Sequence, residues 1–66
     1  MIVTLNDKQL VLQGGASLHD ALVLAGIPAV GVATAVNDKV VPAGERDQWK
    51  LNEGDRILII KAFYGG

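Results

Sequence analysis

The sequence predicts an α+β domain in which one main helix lies across a mixed sheet of five strands. Three observations carry this. β-forming stretches joined by tight-turn residues stand towards both ends of the chain. One segment with helical spacing and capping residues lies between them. The last stretch, Arg56 to Phe63, is the most continuously apolar, as suits a strand near the centre of a sheet.

Met1 to Leu5 is rich in β-formers and places Met1, Val3 and Leu5 on one face. Asn6-Asp7 reads as a tight turn, because both residues tolerate positive φ. Lys8 to Gln13 returns antiparallel with Leu10 and Leu12 on one face. Gly14-Gly15 breaks this strand. Ser17 is suited to cap a helix, and Asp20 stands where a capping box needs an acid. Leu18, Ala21, Leu22 and Ala25 follow at helical spacing, so the helix is expected over Leu18 to Ala25, with Gly26 just past its end and Pro28 preventing continuation. Val32 to Val36 is a third strand, Asn37-Asp38 a second turn of the same chemistry, and Lys39 to Val41 a short fourth strand ended by Pro42. Ala43 to Leu51 is polar and irregular, with Trp49 as its anchor into the core. Asn52 to Asp55 is a turn, Arg56 to Phe63 the last strand, and Tyr64-Gly65-Gly66 a tail. The order β-β-α-β-β-β, with the last strand parallel beside the first, is the β-grasp arrangement. The whole of residues 1–66 is expected to be one domain, with a flexible tail at about 63–66.

The bulk numbers agree with a small self-sufficient fold. A domain of 66 residues buries only roughly 60% of its unfolded surface, so it needs an apolar-rich core, and half of this chain is hydrophobic. No cysteine is present, which excludes disulfides, thiolate metal sites and any sulfur chemistry on a thiol of this chain. Net charge is −1, with six basic and seven acidic residues and no basic run, which argues against nucleic-acid binding. Apolar stretches fall well short of a membrane span, and the N-terminus lacks the basic region of a signal peptide. A soluble cytoplasmic protein, monomeric when free, is the expectation.

Few residues suggest catalysis. Ser17, His19 and Asp20 are the only Ser, His and acid close together, but Ser17 and Asp20 are needed as helix caps, and positions two apart on a helix point in different directions. His19 has no ligand partners at metal spacing and reads as a solvent-facing helix residue. Gly14-Gly15 lacks the lysine and spacing of a phosphate loop and reads as a strand-to-helix turn. Glu45-Arg46-Asp47 has mixed sign and reads as a solvated loop.

The last strand is different. Ile57, Ile59 and Lys61 share one face; Leu58, Ile60 and Ala62 share the other. One helix covers one face, so Leu58 and Ile60 stay in water unless something covers them, each forgoing up to roughly 1.5–3 kcal/mol of burial. With Ala33 and Ala35 on the same side they form a flat apolar patch of the kind that marks partner surfaces. The alternative is that the segment around Trp49 folds over this face. Beyond the strand, Phe63 and Tyr64 lead into Gly65-Gly66. Two residues without Cβ make a tail thin enough for a narrow cleft, and its terminal carboxylate is ionised at neutral pH. In that form it is a poor electrophile, so a partner must activate it. An acyl-adenylate formed from ATP is the direct route, and attack by sulfide or persulfide then gives a thiocarboxylate.

The chain resembles the ThiS family of sulfur carriers for the thiazole half of thiamine, within the ubiquitin-like β-grasp superfamily. The resemblance runs over the whole chain, through Leu5-Asn6-Asp7, Ser17-Leu18, Ala35-Val36-Asn37 with Val40-Val41-Pro42, Trp49, Leu51, Glu53-Gly54-Asp55-Arg56-Ile57 and Gly65-Gly66. It implies a carrier rather than an enzyme. An E1-like adenylyltransferase would use ATP and magnesium to adenylate Gly66, with no cofactor held by this chain. A sulfur-donor protein would convert Gly66 to a thiocarboxylate, and thiazole synthase would take the sulfur. Gly65 and Tyr64 would form the slender tail, and Leu58, Ile60, Ala62 and Phe63, with Ala33 and Ala35, the docking surface. Ala62-Phe63-Tyr64 stands where other members often carry small aliphatic residues. The small subunit of molybdopterin synthase shares the fold and ending. A ubiquitin-like protein modifier is a further alternative, although its arginines before the glycines are missing here. A β-grasp binding module with no chemistry at its C-terminus is the third.

Overall fold

Both Asn-Asp turns form hairpins, and a capped helix joins them. The structure, a computed structural model, describes residues 1–61. In chain order the elements are β1 (Ile2–Leu5), β2 (Lys8–Val11), α1 (Leu18–Ala25), β3 (Val32–Val36), β4 (Lys39–Val41), a 3-10 turn at Ala43–Glu45, and β5 (Arg56–Lys61). The sheet runs β2-β1-β5-β3-β4. β1 and β5 are parallel, with Thr4 opposite Arg56 and Leu5 opposite Ile57; β5 is antiparallel to β3. The most apolar strand is central, as its composition requires.

The turns take the backbone that their residues permit. Asn6 has φ 52° in the first two-residue turn, and Asn37 and Asp38 have φ 50° and 71° in the second, where both central residues are left-handed. β1 begins at Ile2 rather than Met1, yet Met1 continues the ladder: its ammonium donates to Leu12 O at 2.7 Å and its carbonyl accepts from Leu12 N at 2.8 Å. β2 ends at Val11 rather than Gln13, because the chain turns towards the helix through Gly15 at φ 86°. Of the expected last strand, Ala62 and Phe63 lie outside the described residues.

The helix has the expected bounds and caps. Ser17 Oγ accepts from Asp20 N at 3.2 Å, and Asp20 Oδ2 accepts from Ser17 N at 2.9 Å. Gly26, at φ 71°, donates its N–H to the carbonyls of Leu22 and Val23 and closes the helix. Leu18, Ala21 and Leu22 pack against Val3, Leu5, Val36, Val41, Ile57 and Ile59, so the core lies on one side of the sheet.

The segment after Pro42 corrects one expectation. Glu45-Arg46-Asp47 is not a solvated run, because Arg46 is only 4% exposed. Its guanidinium donates from Nε to Thr34 Oγ1 at 3.1 Å, from Nη1 to Ala29 O at 2.8 Å and from Nη2 to Val32 O at 2.8 Å. Thr34 is itself buried on the core face and donates to Val41 O at 2.8 Å. A planar fork reaches three acceptors at once, so one side chain ties the loop before β3 to the segment that leads to β5. Glu45 and Asp47 remain exposed. Trp49 packs half-buried against the core.

Two outcomes test this account. Arg46→Ala is expected to lower unfolding stability by about 2–3 kcal/mol, since three hydrogen bonds to a charged group go at once, and Arg46→Lys to recover little of it. Chemical denaturation reads both. The Ser17 N–H holds the Asp20 carboxyl below its ordinary range. A carboxyl lowered in the folded state stabilises the fold above its ordinary pKa of about 3.9, and that contribution fades as pH falls through the lowered folded value. Acid titration of stability is therefore expected to fall more steeply in the wild-type protein than in Asp20→Asn.

Candidate functional site

Among the described residues, no segment covers the face of the sheet away from the helix. Residues opposite each other across strands share a face, and Ala33 pairs with Ile60 and Ala35 with Leu58. These four therefore lie together on the open side, as the alternation in β5 predicts. Leu58 is 49% exposed and Ile60 55%. The segment around Trp49 does not cover them. Trp49 O accepts from Leu18 N at 2.8 Å, Ala16 O from Leu51 N at 2.9 Å and Arg46 O from His19 N at 3.1 Å, which places residues 43–51 beside the start of the helix.

The open face is wider than β5 and β3. Val40 lies opposite Ala35 and is 77% exposed; Ile2 lies opposite Val11, and both are exposed on the β1–β2 side. The sequence reasoning missed these three. A two-residue turn fixes register, so Asn37-Asp38 already sets Val40 opposite Ala35, and Asn6-Asp7 sets Val11 opposite Ile2. Arg56 bounds the face at one end, where its Nη2 meets Asp38 Oδ2 at 3.4 Å; both side chains are well exposed, so the pair contributes little to stability.

Side-chain amides and one carboxylate hold β5 at the level of its turns. Asp55 is buried and accepts from Asn52 N at 2.8 Å and from Asn37 Nδ2 at 2.9 Å, while Asn37 Oδ1 accepts from Arg56 N at 3.0 Å. On the other flank, Asn6 Oδ1 accepts from Ile59 N at 2.9 Å. An open depression of about 400 Å³ lies beside Lys61, with Leu5, Ala25, Ile27 and Ile59 in its wall. β5 thus carries the centre of the apolar face and leads directly to residue 62. Ala62, Phe63, Tyr64, Gly65 and Gly66 lie outside the described residues.

The other candidates separate. Ser17 and Asp20 bond to each other as caps, and His19 is exposed. Among the described residues no three His, Asp or Glu side chains gather to hold a metal, and no helix is long and apolar enough to cross a membrane.

Comparison with known proteins agrees with this geometry. The ThiS family model matches residues 2–66. The sulfur carrier protein ThiS of Escherichia coli K12 is 30% identical over 69 aligned positions that cover all of both chains. The crystal structure of the thiamine biosynthesis protein ThiS from Geobacter metallireducens superposes with a TM-score of 0.77 at 22% identity, covering 100% of this chain and 99% of that one. The solution structure of a thiamine biosynthesis protein from the same organism gives 0.75 at 22%, covering 100% and 88%. These two show the same fold, the ubiquitin-like β-grasp, and the family match with the full-length E. coli relative shows that the chain belongs to the ThiS family.

Proposed function

We propose that this protein is a sulfur carrier for the thiazole half of thiamine, loaded at the carboxylate of Gly66. The observation that supports it most is the coupling of two features on one strand: the uncovered apolar face centred on Leu58 and Ile60, and the chain that runs on from Lys61 to Gly65-Gly66. The match to the family through residue 66 and the name of the E. coli relative support the same reading.

The chemistry follows from the terminal group. An E1-like adenylyltransferase docks on the open face and receives the tail. A Gly66 carboxylate oxygen attacks the α-phosphorus of ATP, with magnesium on the enzyme's side, and pyrophosphate leaves. The mixed anhydride makes the carbonyl carbon electrophilic. Sulfur from a donor protein attacks that carbon, the acyl–oxygen bond breaks, and AMP leaves with the electron pair. With a persulfide donor, reduction of the resulting acyl disulfide by a thiol releases the thiocarboxylate. Thiazole synthase then draws sulfur from it. The chain supplies the docking face and the acyl end, and acts as co-substrate of its partners. Gly65 offers no Cβ to obstruct a narrow channel.

Intact mass spectrometry of protein from cells with a working sulfur-transfer pathway is expected to show a fraction in which one oxygen at Gly66 is replaced by sulfur. One residue added after Gly66 is expected to abolish it. A tail that appears only as lysine-linked adducts would overturn the carrier reading in favour of a modifier, and retained activity without Gly65 and Gly66 in favour of a plain binding module. Leu58→Asp and Ile60→Asp are expected to leave the protein folded at a cost of about 1–2 kcal/mol each, because both side chains are half exposed but stand on the central strand, where Asp is disfavoured. The same changes are expected to raise the KM for the carrier in adenylation by about tenfold or more, since a charge in an apolar contact loses burial and gains desolvation cost.

A further inference from the structure

Asn6 has a second task besides turning the first hairpin. β1 pairs with β5 only as far as Leu5 opposite Ile57, while β5 runs on to Lys61. On its β3 side β5 is paired over its length, up to Val32 opposite Lys61. On its β1 side the backbone groups of alternate residues are taken in series: Asp55 O accepts from Thr4 N, and Ile57 O from Asn6 N, both at 2.9 Å. Ile59 comes next, where the backbone of β1 has already turned away. The Asn6 side chain occupies that place. Its Oδ1 accepts from Ile59 N at 2.9 Å, and its Nδ2 donates to Ile59 O at 3.4 Å. A side-chain amide carries the donor and acceptor of a peptide unit, so it serves as one further unit of β1. The φ of 52° sends the backbone into the turn while the side chain continues along the strand.

We propose that Asn6 is a positioning residue that fixes where and in what direction the chain leaves the sheet at Lys61, and so how the acyl end reaches the activating enzyme. The proposal rests on the carrier reading above. Without the amide, β5 past Ile57 would be held by β3 alone, and the strand end from which the tail starts would fray. The docking side chains Leu58 and Ile60 stand out of the plane of the sheet, whereas the amide acts within it. Docking and tail placement are therefore separable, and Asn6 belongs to the second.

The competing account is that Asn6 serves only as a residue tolerant of positive φ. Glycine meets that need at least as well, so Asn6→Gly removes the amide and keeps the turn. Asn6→Asp keeps the acceptor for Ile59 N, loses the donor to Ile59 O, and gives a second variant should the first fold poorly. The full chain is adenylated by its E1-like enzyme with ATP, reading kcat and KM separately, and amide hydrogen exchange is followed at Ile59. Asn6→Gly is expected to speed exchange at Ile59 on the order of tenfold with the β3–β4 hairpin unchanged. It is expected to lower kcat by about tenfold or more with KM within about twofold, and Asn6→Asp to fall between. Unchanged exchange, unchanged kcat, or an effect confined to KM would overturn the positioning role while leaving the carrier reading intact. Absence of adenylation in the wild-type protein would instead overturn the carrier reading, and this proposal with it.

Discussion

One eight-residue helix covers one face of a five-stranded sheet, and the rest of the molecule is arranged around that limit. Leu18, Ala21 and Leu22 close the core against the inner residues of β1, β3, β4 and β5. Where the helix does not reach, beside Thr34, the chain brings in Arg46. The guanidinium is a costly group to bury. It is tolerated here because each of its three bonding nitrogens meets an oxygen, one on the loop that passes from helix to sheet and two on β3. No side chain among the described residues is left buried with an unpaired polar atom.

The same limit leaves the outer face bare among the described residues. Exposing Leu58 and Ile60 costs the fold burial that it would otherwise gain, and a chain this small has little stability to spare. Their retention on the central strand makes sense if another protein covers them in use. β5 is also the strand from which the sequence runs on to Gly65-Gly66, so on the proposed function the docking face and the acyl end share one strand. Asn37 and Asn6 bind the backbone of that element from its two flanks, and Asp55 holds the Asn37 amide in place.

Much of this was legible in the sequence because it is local chemistry. The two Asn-Asp turns, the Ser17–Asp20 box and Gly26 each declare a structure within four residues. The open patch of Leu58, Ile60, Ala33 and Ala35 followed from strand alternation and the presence of a single helix. Val40, Ile2 and Val11 needed one more step, carrying register through the turns. Arg46 was not legible. Its acceptors lie 12 to 17 residues away, two of them are backbone carbonyls, and its neighbours Glu45 and Asp47 suggest solvent. The bonds from Asn6 to Ile59 span 53 residues, and in sequence Asn6 shows only its turn character.

The sheet order has a consequence for biosynthesis. β1–β2 and β3–β4 are neighbours of β5 and not of each other, so the two hairpins are bonded into one sheet only when the final strand arrives. A lone hairpin in water is marginal at best. A polypeptide broken off before Arg56 therefore lacks the strand that bonds its two hairpins into one sheet, and keeps only the helix between them. On the proposed function, such an incomplete copy has neither the assembled apolar face nor the acyl end that a partner enzyme would need.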